Sequence, residues 1–180
     1  MRWLDQRVVV SAILWGNADR LMNAAVAEFR PGQRVLQAAA VYGDFSLRLV
    51  ARLGDAGQLT VVDVAPIQVA NTRRKLLRWP GARVRVADLA EPLATTFEAV
   101  CCFFLLHEVP PHSRRCIVRN LLSAVEPGGR IVFVDYHRPR WWHPMRPVMA
   151  LVFRYLEPFA NSLLAESIET LVPESADFEW

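Results

Sequence analysis

Short apolar runs rich in β-branched residues recur along this chain, and most give way to a stretch with helical spacing. That alternation marks βαβ units around a mostly parallel sheet with helices on both faces. The runs predict strands at Arg34 to Ala39, Gln58 to Val64, Val84 to Ala87, Phe97 to Leu105 and Arg130 to Asp135. The fourth is apolar enough to be buried on both faces. Leu4 to Phe29 reads as one or two helices, broken at Gly16-Asn17. Phe45 to Leu53 is a short helix closed by Gly54. Pro66 opens a helix to about Trp79, and Pro111 opens one that ends near Val125, because proline suits a first helical turn. The stretch from Trp141 to about Leu164 is helical and unusually aromatic.

A chain of 180 residues is one domain's worth. It divides into an N-terminal helical segment (1–32), a nucleoside-binding core (33–139) and an aromatic, basic helix with a short tail (140–180). Hydrophobic residues make up 53% and charged residues 22%, enough for a real core. A net charge of +3, evenly spread, does not argue for nucleic acid. Lys75 is the only lysine, so the arginine excess reads first as GC-rich codon usage in a bacterial gene. Three cysteines cannot make a disulfide framework and point to a reducing, cytoplasmic compartment. The longest apolar run, Ala99 to Leu106, is far short of the roughly 20 residues of a membrane span. Asp5 and the lack of a small-residue cleavage site argue against a signal peptide.

In an open parallel sheet, ligands bind at the carboxyl ends of the strands, where strand order reverses. After the first strand come Gln37, Ala38, Ala39, Ala40, Val41, Tyr42, Gly43 and Asp44. A nucleotide-binding turn needs glycine for close backbone approach, and only Gly43 is there. Asp63 ends the second strand 20 residues past Gly43, the spacing at which an acidic residue meets a ribose diol. It is also a candidate cap for the Pro66 helix. Asp88 ends the third strand, where a carboxylate can meet an exocyclic adenine amino group with Leu89 against the ring. Arg73-Arg74-Lys75 reads as a solvated helix face.

The fourth strand exits into His107-Glu108, and the fifth into Asp135-Tyr136-His137. If these strands are neighbours, all five groups converge on one crevice. Two histidines and two carboxylates (His107, Glu108, Asp135, His137) suit Mn²⁺ or a similar ion, and equally suit general acid/base work. The aromatic and arginine mixture from Trp141 to Tyr155 suits a membrane interface or a lipophilic substrate mouth. A helix packed on the sheet with its arginines snorkelling accounts for it as well.

The loops carrying Gly43, Asp63 and Asp88 resemble those of a class I S-adenosylmethionine-dependent methyltransferase. The phrases Val35-Leu36-Gln37-Ala38-Ala39, Val41-Tyr42-Gly43-Asp44, Val62-Asp63-Val64-Ala65-Pro66-Ile67-Gln68, Phe103-Phe104-Leu105-Leu106-His107-Glu108-Val109-Pro110, Val134-Asp135-Tyr136-His137-Arg138-Pro139 and Leu156-Glu157-Pro158-Phe159-Ala160 are similar to the rhodoquinone-biosynthesis methyltransferase-like family. The resemblance runs from about Leu4 to Glu166.

It implies an α/β, Rossmann-like methyltransferase fold whose C-terminal hairpin is incomplete, since only Phe178-Glu179-Trp180 remains where a sixth strand begins. It implies S-adenosylmethionine bound by Gln37, Val41, Tyr42, Gly43, Asp63, Val64, Asp88 and Leu89. It also implies a quinone whose ring methoxy group is exchanged for an amino group, with manganese as a helper. The site would face a membrane surface, as on an enzyme peripheral to the inner membrane. An open sheet edge would take a second copy or an edge-strand partner.

The class ends its first strand on an acidic residue and follows it with three glycines. Gln37, Ala39 and Val41 stand at the corresponding places here. The adenosine half should therefore bind conventionally while the methionine half sits differently, near Tyr42. Conventional methyl transfer to a small aromatic or quinone acceptor, and a non-catalytic binding role, are the two other readings.

Overall fold

The five apolar runs all become strands of one parallel sheet. The structure is a computed structural model that describes residues 17–41, 43–137 and 159–180. The strands are β1 (Arg34–Ala38), β2 (Gln58–Asp63), β3 (Ala82–Val86), β4 (Phe97–Phe103) and β5 (Val125–Val134), in the order β3-β2-β1-β4-β5. The chain thus steps outward from β1 to β3, returns to the other side of β1 as β4, and steps out again. The reversal falls between β1 and β4, where Ala38 lies beside Cys102. A crevice belongs there, beyond the carboxyl ends of the strands.

The described helices are α1 (Ala18–Ala27), α2 (Phe45–Leu53), α3 (Pro66–Leu76), α4 (Pro111–Ser123) and α5 (Ala160–Leu164). Proline occupies the first turn of both α3 and α4, where its missing N–H costs nothing. Gly54 ends α2 at φ +69°, a backbone conformation that L side chains rarely adopt. Met22, Phe29, Phe45, Leu49 and Val69 pack α1, α2 and α3 against one face of the sheet. Leu106, Ile117, Val118 and Leu121 pack α4 against the other, joined by Leu163, Leu171 and Val172 from the C-terminal segment. β4 is buried along both faces apart from the half-buried Glu98.

Three boundaries differ from the sequence expectation. β5 starts at Val125 because Val125 pairs with Phe97 before the Pro127-Gly128-Gly129 turn. Pairing resumes at Ala99 and Arg130, so that turn is a bulge inside the strand rather than its lead-in. β3 starts at Ala82, because Arg83 and Arg85 lie on an exposed face and hide the strand from a search for apolar runs. Among the described residues no strand follows β5. Residues Pro173–Asp177 form a short 3₁₀ turn, and Trp180 stacks on Phe133 of β5 at 6.1 Å. Of the helices expected over Leu4 to Phe29 and Trp141 to about Leu164, residues 4–16 and 141–158 lie outside the described residues, and α5 is the described end of the second. Among those described, no helix is long and apolar enough to cross a membrane.

Cys101 and Cys102 are buried and alternate across β4, one toward each core cluster. Burial pushes both thiols up, and for Cys102 the neighbouring Asp135 charge adds to it. Both remain protonated and unreactive near neutrality. Titration of the native chain with a water-soluble disulfide reagent at pH 8 should therefore detect only the half-buried Cys116 of the three cysteines. All three should react after unfolding.

Candidate functional site

Both strands that flank the reversal end on a non-glycine residue with left-handed backbone: Ala39 at φ +66° and Phe104 at φ +51°. Ala39 N donates to Val62 O of β2 at 2.8 Å, and Phe104 N donates to Val134 O of β5 at 2.7 Å. Each chain therefore peels toward its outer neighbour, and the two loops part over the crevice. Left-handed alanine is costly, and such strain persists only where surrounding contacts enforce it. For Ala39 a further contact is visible. Its carbonyl accepts from Gln37 Nε2 at 2.9 Å.

Gln37 is 0% exposed, and its Oε1 has no hydrogen-bond partner. A buried acceptor left unmade costs free energy, so an N–H donor arriving at this tip would be favoured. Beyond Val41, Gly43 turns at φ +86° with open space where a side chain would start. Its carbonyl accepts from Lys75 Nζ at 2.9 Å. Arg48 of α2 holds Asp44 at 3.1 Å and reaches Asp19 of α1, which fixes the far end of the loop. The Tyr42 expectation lies outside the described residues.

Asp63 is buried, and both its oxygens are engaged. Oδ2 accepts from Ala40 N and Oδ1 from Ala65 N, each at 2.7 Å. Asp63 does not cap α3, whose N-cap residue is Ala65; it bonds the amide of that residue instead. The carboxylate clamps the β1 loop to the start of α3, and each oxygen keeps a second lone pair. Val64, just beyond it, is 67% exposed, an apolar side chain bare at the sheet's carboxyl edge. Asp88 is exposed, with Oδ1 on Ala90 N at 2.8 Å. Ala87 N donates to Asp63 O at 3.1 Å, so the tips of β2 and β3 stay side by side. Leu89 corrects the sequence reading. It packs into the α4-side core, and its carbonyl accepts from Asn120, so it offers little surface to a bound ring. Arg73, Arg74 and Lys75 are all exposed, in keeping with the solvated face, yet two of them also bond to the main chain. Arg73 caps the Val84 carbonyl with two N–H groups, and Lys75 reaches the Gly43 loop.

On the other side of the crevice, β4 and β5 are neighbours, and their exits meet. His107 lies in a 3₁₀ turn, Leu106–Glu108, and is 4% exposed. Its Nδ1 is 2.7 Å from Asp135 Oδ1. Asp135 also accepts from Leu106 N and Tyr136 N, each at 2.8 Å. A carboxylate receiving two backbone donors acts as acceptor toward His107 too, so Nδ1 carries the proton of that bond. Glu108 Oε1 lies 3.9 Å from Nε2. Tyr136 tilts against the imidazole at 4.6 Å, and Phe104 meets both rings edge-on. Phe103 and Phe45 continue the aromatic contacts into the core. His137 is exposed at the end of this loop.

The four groups considered for a metal do not assemble one. Among the described residues no group of three or more His, Cys, Asp or Glu side chains could hold an ion. The physical reason is that Asp135 has three of its four lone-pair sites taken by His107 and two backbone amides. The donor set therefore does not fit manganese.

Arg114 is the residue that sequence reasoning missed. It is fully buried at the start of α4. It donates to the carbonyls of Leu106 at 3.0 Å, Val109 at 3.3 Å and Phe159 at 3.0 Å, and pairs with Glu166 at 3.2 Å. The His107 turn is thereby braced from below. Nothing in the local sequence distinguishes Arg114 from Arg115 beside it, which stays exposed.

A parallel sheet with this order, a turn and two acidic residues at the tips of β1, β2 and β3, and a histidine-carboxylate pair across the reversal define a Rossmann-like transferase of the class I methyltransferase type. Residues 35–129, more than half of the chain, match a family described as a methyltransferase domain, and the chain belongs to it. Among curated proteins it is similar to the ubiquinone/menaquinone biosynthesis C-methyltransferase UbiE of Shewanella sediminis. The two are 27% identical over 147 residues, covering 78% of this chain and 57% of that protein. It is also similar to the carboxy-S-adenosyl-L-methionine synthase of Chromohalobacter salexigens, 32% identical over 120 residues, 63% of this chain and 44% of that protein. The chain thus spans little more than half the length of the first of these relatives. Among solved structures, the N-methyltransferase NodS of Bradyrhizobium japonicum superposes with a TM-score of 0.60 at 17% identity, over 88% of this chain and 78% of that one. That likeness shows the fold.

The strain at Ala39 is testable. Ala39→Gly should be neutral or stabilising by up to about 1 kcal/mol, the left-handed penalty removed being partly offset by glycine's entropy. Ala39→Val should cost about 2 kcal/mol or more, because a β-branched residue tolerates this conformation worst. Urea denaturation of the two variants checks both.

Proposed function

We propose that this chain binds S-adenosylmethionine across the tips of β1, β2 and β3 and modifies the ring of a lipophilic quinone held at the tips of β4 and β5. The observation that carries the reading is the His107–Asp135 pair set against Phe104 and Tyr136. A flat ring suits an aromatic wall, and an Asp-oriented imidazole is a general base for a proton lost from that ring or its nucleophile. The cofactor fits the opposite side. Asp63 and Asp88 can accept from ribose and adenine, Val64 offers apolar surface, and Gln37 Oε1 awaits an N–H donor. When bound, S-adenosylmethionine supplies an activated methyl group and a primary amine.

The resemblance to rhodoquinone-biosynthesis proteins points to the amine as the group used. A carboxylate at the end of β1 would hold that amine as an ammonium ion, whereas neutral Gln37 stabilises the charged form less. The amine is then easier to deprotonate. In the exchange, a C–N bond forms at the methoxy-bearing ring carbon as its C–O bond breaks, and the bond from nitrogen to the donor's α-carbon must then break as well. The quinone ring would take up two electrons from that carbon, water would supply the oxygen of the resulting 2-oxo acid, and an amino-substituted hydroquinone would be released. His107 takes the proton lost by nitrogen and returns it to the departing methoxide, which leaves as methanol. Asp135 keeps the imidazole in the Nδ1–H tautomer throughout. A second reading, methylation of a ring carbon, is favoured by the curated C-methyltransferases among the relatives. There His107 would take the ring proton.

Incubation with S-adenosylmethionine and either ubiquinone or a reduced quinone that keeps a free ring C–H, followed by product mass, separates the two. Exchange replaces a methoxy mass with an amino mass, and methylation adds a methyl mass. An unchanged quinone with intact cofactor binding would leave only a binding role.

Asp88→Ala is the cleaner probe of the cofactor side, since Asp88 bonds only two residues ahead while Asp63 holds two loops together. Calorimetry should show S-adenosylmethionine affinity falling about 10-fold, the worth of a hydrogen bond to a charged group, with thermal stability nearly unchanged.

A further inference from the structure

At their amino-terminal ends β2 and β3 bury only one face, although Val62 further along β2 is buried on the other. Leu59, Val61 and Val84 point into the core beneath α2 and α3, whereas Gln58, Thr60, Arg83 and Arg85 point to the opposite side. On that side the connection from β3 to β4 contains no described helix to cover them. The result is a cavity of about 140 Å³ over the amino-terminal half of the sheet, lined by Arg34, Thr60, Arg83, Arg85, Thr95 and neighbouring groups.

Its charge is one-sided. Arg34 is paired with Glu98 and Glu126 at the rim. Among the described residues, Arg83 and Arg85 make no ion pair and no side-chain hydrogen bond. They stand two positions apart on one face of a strand, about 7 Å along the chain. Like charges at that spacing repel each other, and a doubly coordinated anion between them would turn that cost into attraction. The Thr60 hydroxyl from the neighbouring strand supplies an uncharged donor, and Gln58 an amide. A merely solvated sheet face would be expected to mix signs, and β2 and β3 present no carboxylate here.

We propose that this cavity is a binding site for a phosphate-type oxyanion, with Arg83 and Arg85 as its charge-bearing groups and Thr60 as a further donor. It is separate from the cofactor crevice, because it opens on the amino-terminal half of strands that span about 20 Å, while the crevice lies beyond their carboxyl ends. It does not depend on the reaction at those tips. The chemistry is shared by a soluble phosphate compound and by the headgroup of an acidic phospholipid.

The test uses the full chain with inorganic pyrophosphate, followed by calorimetry, and with phosphatidylglycerol vesicles, followed by co-sedimentation. Arg83→Ala and Arg85→Ala are compared with Arg78→Ala, an exposed arginine outside the cavity. Saturable pyrophosphate binding, weakened about 10-fold by either cavity variant and unchanged in Arg78→Ala, supports the site and a soluble ligand. Vesicle binding lost in the same two variants, with pyrophosphate silent, supports the site and a lipid headgroup. Binding of neither probe, or binding that Arg78→Ala lowers as much as the cavity variants do, overturns the proposal.

Discussion

Leu106 is gripped from two directions by buried charge. Its amide donates to Asp135 and its carbonyl accepts from Arg114. Everything at the β4 and β5 side of the crevice follows from that grip, because His107 is the next residue in the chain. A charged group buried in protein is tolerated only when its hydrogen-bonding capacity is filled. Asp135 meets this condition with two amides and an imidazole, and Arg114 meets it with three carbonyls, a hydroxyl and Glu166. Neither residue can be moved without orphaning the other's partners. The imidazole is thus placed by backbone geometry as much as by its own hydrogen bond. Arg114 also carries the connection to residues 159–166, so the C-terminal segment and the His107 turn share one brace.

The β1 to β3 side is built on the same device with one carboxylate fewer. Asp63 holds Ala40 and Ala65, and through its backbone carbonyl it also receives Ala87. The tips of three strands are tied at a single residue. The two sides of the crevice thus each centre on a buried aspartate at a strand end, and they are joined by the β1–β4 ladder. That arrangement sets both aspartates at the strand ends beside the reversal, where a ligand of an open parallel sheet lies.

The alternation of runs made the sheet legible, because a parallel strand buried on both faces must be apolar throughout. β1, β2 and β4 obey that rule near their carboxyl ends. Proline at Pro66 and Pro111 and glycine at Gly54 made helix ends legible, since each solves a local backbone problem that needs no tertiary partner. The convergence of His107 with Asp135 was legible once β4 and β5 were placed side by side. What could not be read were contacts made by long side chains. Arg73, Lys75 and Arg114 all find carbonyl oxygens contributed by distant segments, and only the folded chain brings those oxygens near. Leu89 misled because its place in the chain, one residue past Asp88, says nothing about which way it points. The metal expectation failed for a related reason. A count of ligand-type residues does not show how many lone pairs are already committed.

Gln37 and Ala39 are best understood as one unit. A carboxylate at position 37 has no hydrogen to give, so it would face the Ala39 carbonyl with repulsion, whereas the glutamine amide donates to it. That donated bond helps hold Ala39 left-handed, a conformation that glycine would adopt without help. Gln37 and Ala39 are therefore coupled, the amide of one supporting the left-handed backbone of the other. Gln37 Oε1 is left as a neutral buried acceptor. A charged acceptor there would favour a cationic ligand group strongly and keep it cationic. A neutral one still rewards an N–H donor but penalises its deprotonation less. An amine placed against Gln37 would lose its proton more readily than one held by a carboxylate.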